Sequence, residues 1–509
     1  MESSPATRFT SPSKFTWLLL GLSLLCVTVW FVHALGYWED DAWIHLEFAR
    51  SVSRGLGFSF NGHIVYGDTS PLWVWLLVAT HALIPSWMAA GKTLSVLGAL
   101  FALTAVFLLS HSLLKDRLGA AQAQTFAATM VLLLAVNPYF GYWAFSGMEA
   151  LTGAGLACVG VTIANRRPLK PVWLLLGAAV AGAAPLLRPE MGFFSILLGL
   201  VLAWRLVQMR AGLVQKFGLL SAGIVLIAAP FGLWARYALH TFGSVLPTTN
   251  AAKRASPDSS VLAHLAANYT LGFPLVLVGL LLLTLWILAS SRERTSTQTA
   301  TPWSVLPLGS WVAIVWTLTN CFFYVVNHTY VQTRYIVVNA PVTMIVLLAA
   351  ARLVWPRAST VLIGTGFVFA CAISGLAAWP SVSNRVLLNR DYKALAQELR
   401  SLPADAPVAH YSIGEATFLS EHPIIDTGGI LLPGIVPYLD DVEDTRRVQW
   451  MIRQGAQYVV TTRPPVAGST IVWQQTVPAV GWFIDPRRYR DTDSLILWKL
   501  PSRTAVAPR

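Results

Sequence analysis

The sequence predicts a polytopic α-helical membrane protein of about eleven transmembrane helices plus one interfacial helix, followed by a C-terminal soluble α/β domain. Three observations carry this. Apolar residues make up 55% of the 509 residues and charged residues only 12%, and the mean hydropathy is +0.58, values that a water-soluble domain with an ordinary charged surface does not reach. Lys and Arg fall mainly in short loops between apolar runs, where they orient a membrane protein, so the net charge of +12 reads as topology and not as a nucleic-acid surface. After Trp379 the hydropathy falls and turn signals begin. The chain therefore divides into a membrane domain, 1–379, and a soluble domain, 380–509.

The first apolar run, Phe15 to Leu35, is long enough to span and lacks a small-residue cleavage site before Tyr37 and Trp38, so it predicts a retained anchor. Further spans are predicted at Leu94 to Leu114, Thr125 to Phe145, Ala150 to Ala164, Val172 to Leu187, Gly192 to Leu206, Phe217 to Arg236, Leu271 to Ala289, Trp303 to Tyr324, Tyr335 to Ala351 and Val361 to Trp379. The run Pro71 to Met88 is apolar enough to span, but it begins at a Thr-Ser-Pro turn and contains Pro85. If it lies along the interface, the inside loops hold Arg8 and Lys14, Lys115 and Arg117, Arg166, Arg167 and Lys170, Arg205, Arg210 and Lys216, Arg292 and Arg294, and Arg352 and Arg357. That satisfies the positive-inside rule at nearly every turn. It also gathers Asp40, Asp41, Glu149, Arg188, Glu190, Arg236, Lys253 and Arg334 on the outer face.

In the tail, Asp391 to Arg400 has helical periodicity. Ile424-Ile425-Asp426 followed by Thr427-Gly428-Gly429 reads as a buried strand leaving into a glycine turn, and Val459 to Thr462 reads as another strand. Cys26, Cys158, Cys321 and Cys371 lie in apolar runs without metal-ligand spacing, so neither a disulfide framework nor a zinc site is indicated. No Walker loop or dinucleotide fingerprint is present.

The chemistry concentrates in the first external loop, 36–92, where Asp40 and Asp41 stand side by side among aromatics; ionisable groups at a membrane boundary mark a functional site. An outward-facing enzyme has no access to cytosolic nucleotide-sugars and must take its activated group from a lipid carrier. A carboxylate can deprotonate an acceptor hydroxyl, and Arg or Lys at span ends can neutralise a departing phosphate. A phosphodiester leaving group requires neither a protein acid nor a metal, so no cofactor is expected and a divalent metal stays open. A transporter or flippase of lipid-linked sugars, and a membrane-anchored envelope binding or assembly protein, are the alternative classes; the clustering of polar groups at one face favours an enzyme over a transport path.

The stretch Asp40-Asp41-Ala42-Trp43-Ile44, then Phe48-Ala49-Arg50, Gly55-Leu56-Gly57-Phe58, Asn61 and Gly67-Asp68-Thr69-Ser70-Pro71-Leu72-Trp73, resembles the first external loop of GT-C fold glycosyltransferases. The resemblance is nearest to the mycobacterial terminal β-(1→2)-arabinofuranosyltransferase family. Ser146-Gly147-Met148-Glu149, Arg188-Pro189-Glu190, Leu246-Pro247-Thr248-Thr249 with Lys253, and Arg334-Tyr335 with Pro341 continue it in order, and Asp426-Thr427-Gly428-Gly429 extends it more loosely into the tail.

The resemblance implies a GT-C-like membrane domain and an inverting transfer of arabinofuranose, or of another pentose or hexose, from a polyprenyl-phosphate donor to a glycan, glycolipid or protein acceptor. It places the enzyme in the inner or plasma membrane with its site and C-terminal domain on the extracytoplasmic side. Asp40 is then the first choice for the base and Asp41 its partner. Lys253 and Arg334, and more weakly Arg236 and Arg254, are expected at the donor phosphate; Glu149, Arg188, Glu190, Asp68, Thr69 and Tyr335 at substrate; and Trp43 and Trp73 stacked on a sugar ring. The first loop departs from the usual family pattern at Tyr66, Asp68 and Ser70, and the later Pro247-Thr248-Thr249 run departs at Thr248. Lone His45 is expected to be a packing or hydrogen-bonding residue.

Overall fold

The structure is a computed structural model that describes residues 11–249, 260–292, 305–329, 331–439, 445–479 and 492–501. The membrane domain contains α1 (Lys14–His33), α2 (Asp40–Ser53), a two-stranded ribbon of β1 (Ser59–Phe60) and β2 (His63–Ile64), α3 (Pro71–Leu83), α4 (Trp87–Leu118), α5 (Ala120–Ala135) and α6 (Pro138–Trp143). It continues through α7 (Ala150–Asn165), α8 (Pro171–Leu187), α9 (Met191–Val207), α10 (Leu213–Phe242), α11 (Val261–Gly272), α12 (Pro274–Arg292), α13 (Leu308–Val326), α14 (Thr333–Val354) and α15 (Pro356–Ile373).

Helix starts follow from local chemistry. Ser13 caps α1 by accepting the Thr16 N–H, Ser86 caps α4 by accepting that of Ala89, and Pro71 opens α3 where its missing N–H costs nothing. Each of the eleven expected spans falls on a helix or a helix pair over its described residues, Trp303 and Ser304 lying outside them. Among the described residues six helical segments are long and apolar enough to cross a membrane, and α11 with α12, bent by 104°, makes a seventh if counted as one broken span. The protein is a multi-pass membrane protein.

The helices α7, α8 and α9 match the expected spans to within two residues, whereas α5 ends before the Asn137-Pro138 start of α6. All four have 16 or 17 residues. At about 1.5 Å per residue that is about 24–26 Å, a few ångströms short of a typical hydrocarbon layer. The 13 residues of α3 reach only about 20 Å, so Pro71–Leu83 is too short to cross, as the charge distribution anticipates.

The boundary expected at Trp379 contains no linker. After α15 the chain passes through a π-helical turn, Ser374–Ala378, directly into α16 (Trp379–Ser401). The change there is one of composition alone, from apolar to amphipathic.

The tail is an α/β domain of β3 (Val408–His410), α17 (Ile413–Ser420), β4 (Ile424–Asp426), α18 (Thr445–Arg453), β5 (Tyr458–Thr461), β6 (Thr470–Pro478) and β7 (Thr492–Lys499). The sheet order is β4-β3-β5-β7-β6, with β4, β3 and β5 parallel and the last two strands antiparallel. Period-two alternation sends Val408, Tyr458 and Val460 to the face covered by Leu388, Leu395 and Leu399 of α16. Ala409, Ile425 and Val459 go to the face covered by Trp450 and Met451 of α18.

Candidate active site

The helix α2 turns two adjacent aspartates to different surroundings. Successive side chains are about 100° apart, so Asp41, Ile44 and His45 share one face while Asp40, Trp43 and Glu47 share another. The first face lines a cavity of about 320 Å³ at the end of the bundle. The second packs against α17 of the soluble domain: Trp43 and Phe418 lie 5.4 Å apart between ring centroids, and Arg50 donates to the Phe418 carbonyl at 3.1 Å.

The cavity gathers Asp41, Asp68, Thr69, Glu149, Arg188, Glu190, Arg334 and Tyr335. These come from the ends of α2, α7, α8, α9 and α14 and from the loop before α3, which places all of those ends at one side of the bundle. Asp41 accepts from Arg334 Nη1 at 2.5 Å and is the accessible member of the pair, with 22% of its side chain exposed against 4% for Arg334. Arg188 holds Glu149 at 2.6 Å through Nη1 and Glu190 at 2.5 Å through Nε. Its guanidinium and that of Arg334 each lie 5.5 Å from the Tyr335 ring centre.

His45 ties the loop to this network, with Nδ1 at 2.6 Å from Asp68 and Nε2 at 3.3 Å from Glu149. Burial disfavours the imidazolium, but the charges and hydrogen bonds of Asp68 and Glu149 outweigh it and push the ring up to about 10. His45 is therefore charged at neutral pH. Asp68 also accepts the Ser70 N–H at 2.6 Å, fixing the turn that starts α3. The close approach of the 146–149 segment to α2 requires Gly147, whose φ is +87° and where a Cβ would meet Trp38 at 2.7 Å and Ala42 at 2.8 Å.

Asp40 has a different position from the one expected. Its Oδ1 accepts the Glu415 backbone N–H at 3.1 Å at the first turn of α17, and it does not line the cavity. Burial and the neighbouring Asp41 raise its carboxyl to about 6, against the stabilising N–H groups of Glu415 and Gly414. Gly414 leaves room for this contact, since a Cβ there would lie 2.1 Å from the Asp40 carbonyl oxygen.

The other expected site residues lie as follows. Trp43 and Trp73 are fully buried and neither lines the cavity; Trp73 instead donates to the Gly147 carbonyl at 3.3 Å. Arg236 lies exposed on α10, away from the cavity. Lys253 and Arg254 lie outside the described residues.

His45 acts as a hydrogen-bonding residue, as its sequence context indicates, but at the heart of the site; its i,i+4 spacing from Asp41 is the signal that points there. Tyr324 and Asn327 also line the cavity and carry no such signal, while Thr249, on the same wall, belongs to the Leu246-Pro247-Thr248-Thr249 run. Two elements from elsewhere close it. Thr248 donates its backbone N–H to the Tyr66 carbonyl at 3.0 Å and its hydroxyl to that of Ile430 at 2.5 Å. Ile430 reaches the wall because Asp426 folds the glycine turn by accepting the N–H groups of Gly428 and Leu431, each at 2.6 Å. Among the described residues no group of three or more His, Cys, Asp or Glu side chains is arranged to hold a metal ion.

No protein-family model matches the sequence, and no curated protein matches it significantly. Solved structures do match. ArnT from Cupriavidus metallidurans bound to undecaprenyl phosphate aligns with a TM-score of 0.55 at 15% identity, covering 98% of this chain and all of that one. The apo form of the same protein aligns with a TM-score of 0.54 at 14% identity and the same coverage. The chain has the GT-C fold. An oligosaccharyltransferase from Archaeoglobus fulgidus is a more distant match, with a TM-score of 0.48 at 12% identity over 88% of this chain and 67% of its own length.

Proposed function

We propose that the protein is an inverting glycosyltransferase that moves a sugar from a polyprenyl-phosphate donor to an acceptor hydroxyl on the extracytoplasmic side of the membrane. The observation that carries this is the placement of Asp41: a partly accessible carboxylate, ion-paired to Arg334, inside a cavity bounded by bundle and soluble domain. Asp41, and not Asp40, is the base. It takes the acceptor hydroxyl proton as the acceptor oxygen bonds to the anomeric carbon; the bond from that carbon to the phosphate oxygen breaks, and its electron pair leaves with the polyprenyl phosphate.

Both arginines of the cavity already face carboxylates, so a bound phosphate shares them. Arg334 orients Asp41 before attack and takes up phosphate charge as it develops. Glu149, Glu190 and Asp68 hold the cations and contact sugar hydroxyls, with Thr69 and Tyr335 beside them. The apolar wall suits an isoprenoid: Phe193, Leu246 and Phe323 line the cavity, and Phe323 and its neighbour Phe322 are also exposed on α13. The ArnT structure with undecaprenyl phosphate on the same fold supports a lipid-linked donor. No cofactor beyond that donor is required by this scheme. Incubation of the purified protein with labelled polyprenyl-phosphate sugars tests it: release of polyprenyl phosphate together with a glycosylated acceptor is expected. Transport of the donor across a vesicle without cleavage would contradict it.

A further inference from the structure

The soluble domain holds a second cavity, of about 530 Å³, which the transfer chemistry above leaves unused. It lies at the carboxyl ends of the parallel strands, where β3 ends in His410, β4 runs into Thr427 and β5 runs into Thr462. The chain passes from β3 to β4 on one side and then crosses to β5 on the other. Ligands in open α/β sheets bind at such a switch in strand order, because the loops leaving the two sides separate there and open a crevice.

His410 is the residue that points to a ligand. It is 4% exposed and lines the cavity, and neither ring nitrogen has a hydrogen-bond partner among the described residues. Its ring is held in place by stacking on Tyr392, 5.8 Å away between centroids. Burial keeps it neutral, so it offers one donor and one acceptor. Around it stand the hydroxyls of Ser412, Thr427 and Thr462 and the guanidinium of Arg447, which donates to the Thr427 carbonyl at 3.3 Å. Tyr411 offers a half-exposed aromatic face at the same wall. Three residues on, Gly414 packs against Asp40, so this wall lies beside the start of α2, where Asp41 stands.

We propose that this cavity binds a saccharide and, given the transferase reading above, that the saccharide is the acceptor glycan, held so that its terminal hydroxyl reaches Asp41. Short hydroxyls, a neutral imidazole and a planar guanidinium match the closely spaced donors and acceptors of a sugar chain, while Tyr411 covers its apolar face.

The test is binding of the full-length protein, in lipid nanodiscs, to an array of neutral and acidic oligosaccharides. The wild type should retain at least one saccharide. His410→Phe, which removes both ring nitrogens, should weaken that binding at least tenfold, about 1.4 kcal/mol. Thr462→Trp, at the exposed rim, should do so by filling the cavity without disturbing the buried ring, and thermal melting checks that both variants fold. No saccharide retained by the wild type, or equal retention by both folded variants, would overturn the proposal. Saccharide binding without any release of polyprenyl phosphate would sink the transferase reading and leave this site standing; release without saccharide binding would sink this site alone.

Discussion

Replacing His45 with Gln removes the charge that bridges Asp68 and Glu149, and the structure sets both the size and the pH dependence of the result. The ring rises from an ordinary 6.5 to about 10 in the folded protein, which corresponds to a preference for the imidazolium of about 5 kcal/mol. A group whose folded value lies above its unfolded value contributes stability that is complete below the unfolded value and is lost as pH rises through the folded one. The His45 contribution is thus fully present below pH 6.5 and gone above about pH 10. Wild type should melt well above His45→Gln at pH 6, and the gap should close progressively towards pH 10. Thermal midpoints of both proteins in the same lipid nanodiscs, taken at intervals between those limits, measure it. A gap that stays constant or widens with pH would mean that His45 contributes shape and not charge.

Arg334→Gln should fold and lose about a hundredfold or more in kcat, the size seen when a charge-stabilising donor is removed from an active site; steady-state kinetics with the lipid donor reads it. Asp40→Ala should lower the melting temperature by loosening α17 from α2, a loss of about 1 kcal/mol as for a helix cap. Limited proteolysis should then cut between the domains sooner, whereas an unchanged digestion pattern would separate Asp40 from the docking contact. Trp73→Leu should reduce stability with little change in donor KM, since the ring is buried against Gly147; a large KM effect would return it to the sugar. A cysteine at Gly62 should react with a membrane-impermeant reagent from outside and one at Ala121 should not. The reverse pattern would invert the topology.

The bundle was legible because apolar runs and basic turns are read directly from composition, and the charge pattern, with the Thr-Ser-Pro turn and Pro85, kept Pro71 to Met88 out of the set of spans. The same pattern gathers Asp41, Glu149, Arg188, Glu190 and Arg334, which the fold brings into one cavity. The order of the two aspartates was not legible from a motif. It depends on a rotation of 100° about α2 and on where α17, nearly four hundred residues later in the chain, docks. The burial of Trp43 and Trp73 was not legible for a related reason: an aromatic near a carboxylate reads alike in sequence whether it faces a ligand or fills the core. The second cavity could not be foreseen, since β3, β4 and β5 meet only through tertiary pairing and His410 sits in an unremarkable strand.

If Asp41 is the base and Asp40 a structural contact, single-turnover transfer from a purified polyprenyl-phosphate sugar by Asp41→Asn and Asp40→Asn separates the two roles. Both substitutions preserve volume, and an asparagine at position 40 can still accept the Glu415 N–H. Asp41→Asn is predicted to abolish the chemical step, with a loss of about 10²–10⁴ in rate for a missing general base, and Asp40→Asn to retain transfer within about tenfold of wild type. A dead Asp40→Asn beside an active, folded Asp41→Asn would make Asp40 the base and remove Asp41 from that role.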